Sequence, residues 1–423
     1  MKILVIGGGG REHALAWKLA QSPATSRLYA APGNPGIATL AECVPANVTD
    51  PDRLLAIAES AGIDLTVVGP EAPLAAGVVD MFRSRGLPIV GPLQSAARLE
   101  SSKGFAKEVM TQAGVPTARS VTVESAAQAH TAIRRFELPV VLKADGLAAG
   151  KGVVIANTRE EAERTAAAML AGKLVGDAGH RLIVEEFLKG EEVSFIAITD
   201  GRTVVPLEAT QDHKAIFDGD RGPNTGGMGA YCDGRILSPS ATDDVLSTVI
   251  LPVVEYMRGI GQPFTGFLYA GLMLTGDGPK VLEFNVRLGD PETQALMLRL
   301  NSDLAGLLTE CARGALSETR PRWSTDPSMC VVMAAAGYPG QVRTGDSITG
   351  IAEAERDGAL VFHAGTARVN GEVRTAGGRV LGVTASGADL PAAIARTYDA
   401  VSRIRFEGAQ YRTDIGVKGL KRW

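Results

Sequence analysis

Short apolar runs, each closed by glycine or proline, set the rhythm of the first hundred residues. Residues 3–6 are apolar and end at Gly7-Gly8-Gly9-Gly10, Leu65–Val68 ends at Gly69-Pro70, and residues 88–90 end at Gly91-Pro92; residues 27–30 form one more run. After the first run, residues 11–20 read as a helix. Ala14, Leu15, Trp17 and Leu19 supply its inward face, with Lys18 adding its aliphatic stem. Strands alternating with helices predict an open parallel α/β sheet over residues 1–100. Ligands of such sheets bind beyond the carboxyl ends of the strands.

The pattern then changes. A helix is expected from Ser101-Ser102-Lys103 to Gly114. Strands are expected at residues 140–143, with Lys143 at the end, at 153–155, at 182–184, at 267–274 and around Val281, Leu282 and Phe284. Residues 211–229 are too rich in glycine and charge for a core element and read as a long loop, and long ordered loops in compact domains are usually functional. Beyond residue 326, strands are expected at 330–335, 359–362, Glu372–Thr375 and 379–385, and a helix over 390–404. The expected domains are 1–100, 101–325 with a lid at about 123–189, and a small mixed unit at 326–423.

Composition narrows the class. The 423 residues carry a net charge of −4, which argues against a broad nucleic-acid surface. Four cysteines lack CxxC pairing and read as thiols of a reducing compartment. No apolar run reaches a membrane-spanning length and no signal-peptide layout opens the chain. A cytoplasmic enzyme, monomeric and without nucleic-acid or membrane partners, is expected.

The candidate chemistry centres on LEFNVRLGDPETQ. Glu283 and Asn285 stand two apart on a strand and so share a face. A carboxylate and an amide oxygen there suit Mg²⁺, held jointly with substrate phosphates, with Mn²⁺ as a substitute. Arg287 continues the alternation and places a positive fork beside the pair. Asp290 either binds an ammonium group or caps the helix that Glu292 opens. The N-terminal glycines fail the dinucleotide fingerprint, since its third glycine falls on Glu12 or His13. A glycine turn opening a helix still makes an anion site, and a ribose 5-phosphate suits it better than NAD. ADGLAAGKG (144–152) is not a Walker A loop, because Gly152 replaces the Ser/Thr. It suits a lid over phosphates, with Gly150 in the loop and Lys143 and Lys151 framing it. Glu185 and Glu186 can accept hydrogen bonds from an adenine amino group or ribose hydroxyls, while Phe187 and Leu188 cover the base. In the loop 211–229, Asp212 and Lys214, then Asn224 and Thr225, are the choices for an acceptor site.

RLGDPETQ (287–294) resembles the signature of the phosphoribosylamine–glycine ligase family. GGGGREHALAWKLA, APGNPG, KADGLAAGKGV, EEFLKGEEVSF, QDHKAIFDGDRGPNTGGMGAY and YAGLML resemble that family's segments in the same order. The resemblance spans the chain and implies an ATP-grasp core of two α+β lobes between the parallel sheet and the C-terminal unit. It implies ATP-driven joining of glycine to 5-phosphoribosylamine through glycyl phosphate. Lys103 and Lys143 are then expected on phosphates, Glu185, Glu186 and Phe187 on adenine, and Glu192, with Glu191 as rival, on ribose. Gly9, Gly10, Arg11 and Glu12, with Gly33 and Asn34 behind them, are expected at the phosphoribosylamine. Glu283 and Asn285 are expected on the metal, and Arg287, Lys143 and Asp290 in catalysis. His13 reads as a packed helix residue, and nothing requires His213 as a base. A ligase for another acceptor, or a non-catalytic nucleotide sensor, are the competing readings.

Overall fold

The computed structural model describes all residues except 147–151, 173 and 175–179. Strands β1 (Lys2–Gly7), β2 (Arg27–Pro32), β3 (Glu42–Cys43), β4 (Leu65–Val68) and β5 (Ile89–Val90) form the expected parallel sheet in the order β3-β2-β1-β4-β5. β1 is central, and Ile3, Leu4, Val5 and Ile6 have no exposed surface. The strand order reverses between β1 and β4, where open α/β sheets place their ligands. Gly7 turns the chain out of β1 at φ +125°, a conformation that favours glycine. Helix α1 (Gly10–Leu19) then covers the sheet through Ala14, Leu15 and Leu19.

A second, smaller lobe pairs β6 (Ser120–Val123), β7 (Val140–Ala144), β8 (Val153–Ala156) and β9 (Leu182–Glu186) antiparallel in the order β6-β9-β7-β8. Val123, Ile133, Leu142, Met169 and Val184 give it a core of its own, to which the helices Ala126–Ile133 and Arg159–Leu170 contribute.

The remaining strands are β10 (Glu191–Thr199), β11 (Val204–Pro206), β12 (Thr210–Asp212), β13 (Ala215–Phe217), β14 (Arg221–Asn224), β15 (Gly229–Cys232), β16 (Gly266–Thr275), β17 (Gly278–Asn285), β18 (Ser328–Ala334), β19 (Leu360–His363), β20 (Thr366–Val369), β21 (Glu372–Thr375) and β22 (Arg379–Ser386). Nine of them make one antiparallel sheet, β17-β16-β10-β12-β15-β18-β22-β19, with β11 attached to β10.

One expectation is corrected here. Residues 211–229 are not one long loop: they supply β12, the β13–β14 hairpin and β15. The charges that argued against a folded element are met from far along the chain. Arg412, fully buried, pairs with Asp220 (3.0 Å) and Asp414 (2.7 Å), Lys418 pairs with Asp220 (2.5 Å), and Thr413 donates its backbone N–H to Asp218 (2.8 Å). Strands β18, β19 and β22 of residues 326–423 join the large sheet. β18 pairs with β15 from Gly229↔Val331 to Cys232↔Ser328, so hydrogen bonding runs unbroken from the metal-candidate strand β17 to β19. No described helix is long and apolar enough to cross a membrane.

Candidate functional site

β17 carries Glu283 and Asn285, both half-buried, opposite Gly271 and Tyr269 of β16. A bulge inserts Leu282 just before Glu283, and the Leu282 carbonyl, freed from the ladder, accepts from Lys143 Nζ at 2.9 Å. Gly271 leaves the space above Glu283 open, since a Cβ there would stand 3.4 Å from Glu283 Cγ. Burial would raise the Glu283 carboxyl, but Lys214, Lys143 and Lys103 outweigh it and hold the group below the usual carboxylate range. Lys214 Nζ lies 3.8 Å from Glu283 and 3.3 Å from Glu192. Among the described residues no cluster of three or more His, Cys, Asp or Glu side chains forms a metal site. An ionised carboxylate with one amide oxygen nevertheless fits Mg²⁺, which keeps waters and shares phosphate oxygens.

Arg287 lies beside the pair, as its spacing suggests. Its Nη2 donates to Asn285 Oδ1 (3.2 Å), but the same nitrogen bonds Glu100 (2.6 Å) and its Nε bonds Glu71 (3.3 Å). The positive fork is therefore already countered by two carboxylates of the N-terminal region.

Lys143, at the end of β7, lies 2.9 Å from Glu185 Oε2. Lys107, which the sequence reading passed over, lies 3.1 Å from Glu185 Oε1 and bonds Thr117 Oγ1 (2.8 Å) and the Ala118 carbonyl (3.1 Å). Burial lowers the Lys107 ammonium from its usual range. Glu185 is 2% exposed, so its carboxylate is engaged with two lysines rather than directed at a base. The Glu186 carboxylate holds Arg119 at 2.6 Å. Beside these carboxylates the hinge presents Phe187, half-buried, and an apolar floor of Ala118, Leu188, Met273 and Leu282. Lys103 opens the helix Lys103–Gln112 and donates to the Gly146 carbonyl (3.3 Å), at the edge of the segment that contains Gly150 and Lys151. Gly150 and Lys151 themselves lie outside the described residues.

Glu191 and Glu192, rivals for one role, have separate surroundings. Glu191 is tied to Gln211 (2.7 Å), Lys421 and Arg422. Glu192 instead lines a small cavity with Ser194, Asp212, Lys214, Tyr269 and Gly271. Under that cavity Tyr269 OH donates to Glu292 Oε1 (2.7 Å) and meets Ser194 Oγ (2.7 Å), which also reaches Glu292 (3.1 Å). Burial, with Glu292 next, pushes the Asp212 carboxyl up to about 8, while Glu192 above all holds Lys214 cationic. Asn224 is exposed on the hairpin, Thr225 accepts from Gly227 N–H, and the His213 ring is buried and lowered to about 4 by burial and Lys418.

At the switch point, Glu12 accepts the Gly9 N–H (2.6 Å) and Arg11 Nε (2.6 Å), and Arg11 Nη1 reaches the Leu288 carbonyl (3.0 Å). Its carboxylate fills the space beside Gly69, where a Cβ would stand 2.1 Å from Oε1. Gly9 and Gly10 face Asp290: a Cβ on either would lie 3.6 Å from a carboxylate oxygen. Asp290 does not cap the helix Glu292–Arg299. Its Oδ1 takes the Gln294 side chain (2.8 Å) and its Oδ2 faces Arg379 Nη2 at 3.2 Å. Asn34 Nδ2 bridges the Gly8 carbonyl (2.9 Å) and the His363 carbonyl (2.8 Å), so the APGNPG loop is stapled to the glycine turn. His13 is packed, accepting the His363 N–H at 2.8 Å.

The comparisons agree over nearly the whole chain. Residues 1–100, 101–293 and 328–418 match the N domain, the ATP-grasp (A) domain and the C domain of phosphoribosylglycinamide synthetase. The chain is 52% identical to a phosphoribosylamine–glycine ligase of Ralstonia nicotianae and 51% identical to one of Yersinia pestis, each alignment covering 100% of both chains. A crystal structure of phosphoribosylamine–glycine ligase from Thermotoga maritima is 34% identical, with a TM-score of 0.86 over 98% of this chain and 100% of that one. A biotin carboxylase from Campylobacter jejuni, 15% identical, shares the fold with a TM-score of 0.74 over 99% of this chain and 95% of its own.

Proposed function

Because the chain belongs to the phosphoribosylglycinamide synthetase family, we propose from that membership and from its site that it joins glycine to 5-phosphoribosylamine at the expense of ATP, a step of purine biosynthesis. The observation that carries the reading is the placement of Glu283 and Asn285 on one face of β17, with Lys143, Lys214 and Arg287 converging on them. ATP lies between the lid lobe and the large sheet, its base on Phe187 and the apolar floor and its ribose on Glu192. Lys103 and Lys143 meet its phosphates.

The glycine carboxylate attacks the γ-phosphate to give glycyl phosphate and ADP, and the ribosylamine nitrogen then displaces phosphate from the acyl carbon. Such transfers need alignment and charge stabilisation more than covalent help. Glu283 and Asn285 would hold Mg²⁺, or Mn²⁺ in its place, which supplies charge neutralisation at the phosphoryl group. Arg287, oriented by Glu71 and Glu100, fixes the glycine carboxylate. Asp212 and Lys214 line the acceptor side, with Asn224 on the hairpin above. Gly9, Gly10 and Asp290 frame the phosphoribosylamine, and Arg11 and Glu12 shape that turn from within.

The test is ADP release with ATP and Mg²⁺, omitting glycine and phosphoribosylamine in turn. ADP formed only with both, with glycinamide ribonucleotide detected by mass, is expected. Turnover with a different amine or acid would overturn the substrate assignment. Glu283→Ala is expected to remove activity and keep the fold; turnover by a folded Glu283→Ala protein would remove the metal assignment.

A further inference from the structure

Residues 419–423 lie beyond the stretch that matches the C domain, yet they make a dense set of contacts. The short helical turn Val417–Arg422 seats itself on Tyr231 through Gly419, where a Cβ would stand 2.8 Å from the tyrosine ring and 2.6 Å from Leu390 Cδ2. Lys421 Nζ meets Glu191 Oε2 at 2.5 Å, and Arg422 Nη2 pairs with Glu191 Oε1. Arg422 Nη1 reaches Tyr231 OH at 3.1 Å and Gln211 Oε1 at 3.4 Å. Trp423 Nε1 donates to Asp233 (2.7 Å), and the Arg235 guanidinium lies 3.1 Å above the indole.

These contacts converge on one joint. Gln211 Nε2 donates to Glu191 Oε1 (2.7 Å) and to the backbone carbonyl of Glu192 (2.8 Å), linking β12 to the start of β10. Burial would raise Glu191, but its bonds to Lys421, Arg422 and Gln211 pull it down to about 2, so it stays anionic and keeps both cations. The next residue, Glu192, faces Lys214 and lines the cavity. The planar guanidinium of Arg422 spans Glu191 with one nitrogen and Tyr231 and Gln211 with the other, a fixed fork that a lysine's point charge does not reproduce.

We propose that Arg422, with Lys421 behind it, is a positioning residue for the nucleotide: through Glu191 and Gln211 it fixes the backbone at Glu192 and so the place of that carboxylate at the ribose. The proposal rests on the assignment of Glu192 to the ATP ribose. Arg422 does not line the cavity that Glu192 lines, and its effect passes through two side chains and one carbonyl.

The experiment varies ATP and glycine separately in full-length wild type, R422A, R422K, E192A and E191A/R422A, with a thermal melt of each. R422A is expected to raise KM for ATP about tenfold, as removal of one oriented charge-assisted contact would. kcat and KM for glycine should stay within about twofold, R422K should recover part of the loss, and adding E191A to R422A should add little. If R422A keeps the wild-type KM for ATP while E192A raises it, the positioning role fails and the ribose assignment stands. If E192A leaves KM for ATP unchanged, the ribose assignment fails and takes the proposal with it. A parallel rise in both KM values with a lowered melting temperature would mark a merely structural contact and overturn the proposal.

Discussion

Arg379 of β22 holds Asp290 at both ends: Nη2 lies 3.2 Å from the carboxylate, and Nη1 donates to the Asp290 carbonyl at 2.6 Å. The same nitrogen reaches the Gly226 carbonyl at 2.5 Å, so one side chain ties the end of the β13–β14 segment to the turn after β17. Burial would raise Asp290, and Arg379, Arg11, the Gln294 bond and Arg287 together outweigh it, leaving the carboxyl below its usual range. Arg379→Met leaves that carboxylate without its nearest counter-charge and should cost about 3 kcal/mol of stability. Urea unfolding of Arg379→Met and of Arg379→Met/Asp290→Asn checks this. The double variant should be the more stable of the two, and equal midpoints would show that charge is not what Arg379 contributes.

Lys107 and Lys143 share Glu185, which is almost wholly buried. Removing one cation leaves the carboxylate to the other, so Lys107→Met should draw Lys143 more tightly onto Glu185 and away from the phosphates it is proposed to meet. The expected outcome is a higher KM for ATP, with a loss of about 3 kcal/mol in stability. A variant that keeps both its unfolding midpoint and its KM for ATP would show that Lys143 is held by the Leu282 carbonyl alone.

Acid should loosen the junction between α1 and β19. Burial lowers His13 to about 3 and His363 to about 4, against an ordinary 6.5. Below pH 6.5 the unfolded chain takes up protons that the folded chain refuses, so stability falls as pH drops from 6.5 toward 4. The slope is about 1.4 kcal/mol per pH unit for each histidine. His363→Gln keeps the backbone N–H that bonds His13 and removes one of the two groups. Between pH 6.5 and 5 its unfolding free energy should lose about 1.4 kcal/mol less per pH unit than that of the wild type, and an unchanged slope would assign the acid loss elsewhere.

The elements most legible in the sequence were those whose signal is local. The β1 run with its glycine turn, and the pair Glu283 and Asn285 on one strand face, depend on neighbours within a few residues. The bulge at Leu282 comes before the pair and leaves its alternation intact. The misreadings arose where partners are distant. Asp218 and Asp220 argued for a loop because Arg412, Thr413 and Lys418 lie nearly two hundred residues on. Lys107 and Arg379 carry no motif at all, and only the fold brings them to Glu185 and Asp290. Glu185 and Glu186 were legible as a hinge, but their carboxylates are spent on Lys107, Lys143 and Arg119. A string of letters does not show which charge a neighbouring strand has already met.

The unbroken pairing of β15 with β18 also bears on how the protein comes into being. While residues 326–423 are still being synthesised, the β15 edge has no neighbour, the β13–β14 hairpin lacks Arg412 and Lys418, and Asp290 lacks Arg379. The nascent chain therefore carries every candidate phosphate and metal side chain before the hairpin beside them and the turn at Asp290 have their partners. Its exposed strand edge is open to other chains until β18 arrives. Turnover should require residues 326–423, and a truncation at this seam should leave an adhesive fragment rather than a smaller enzyme.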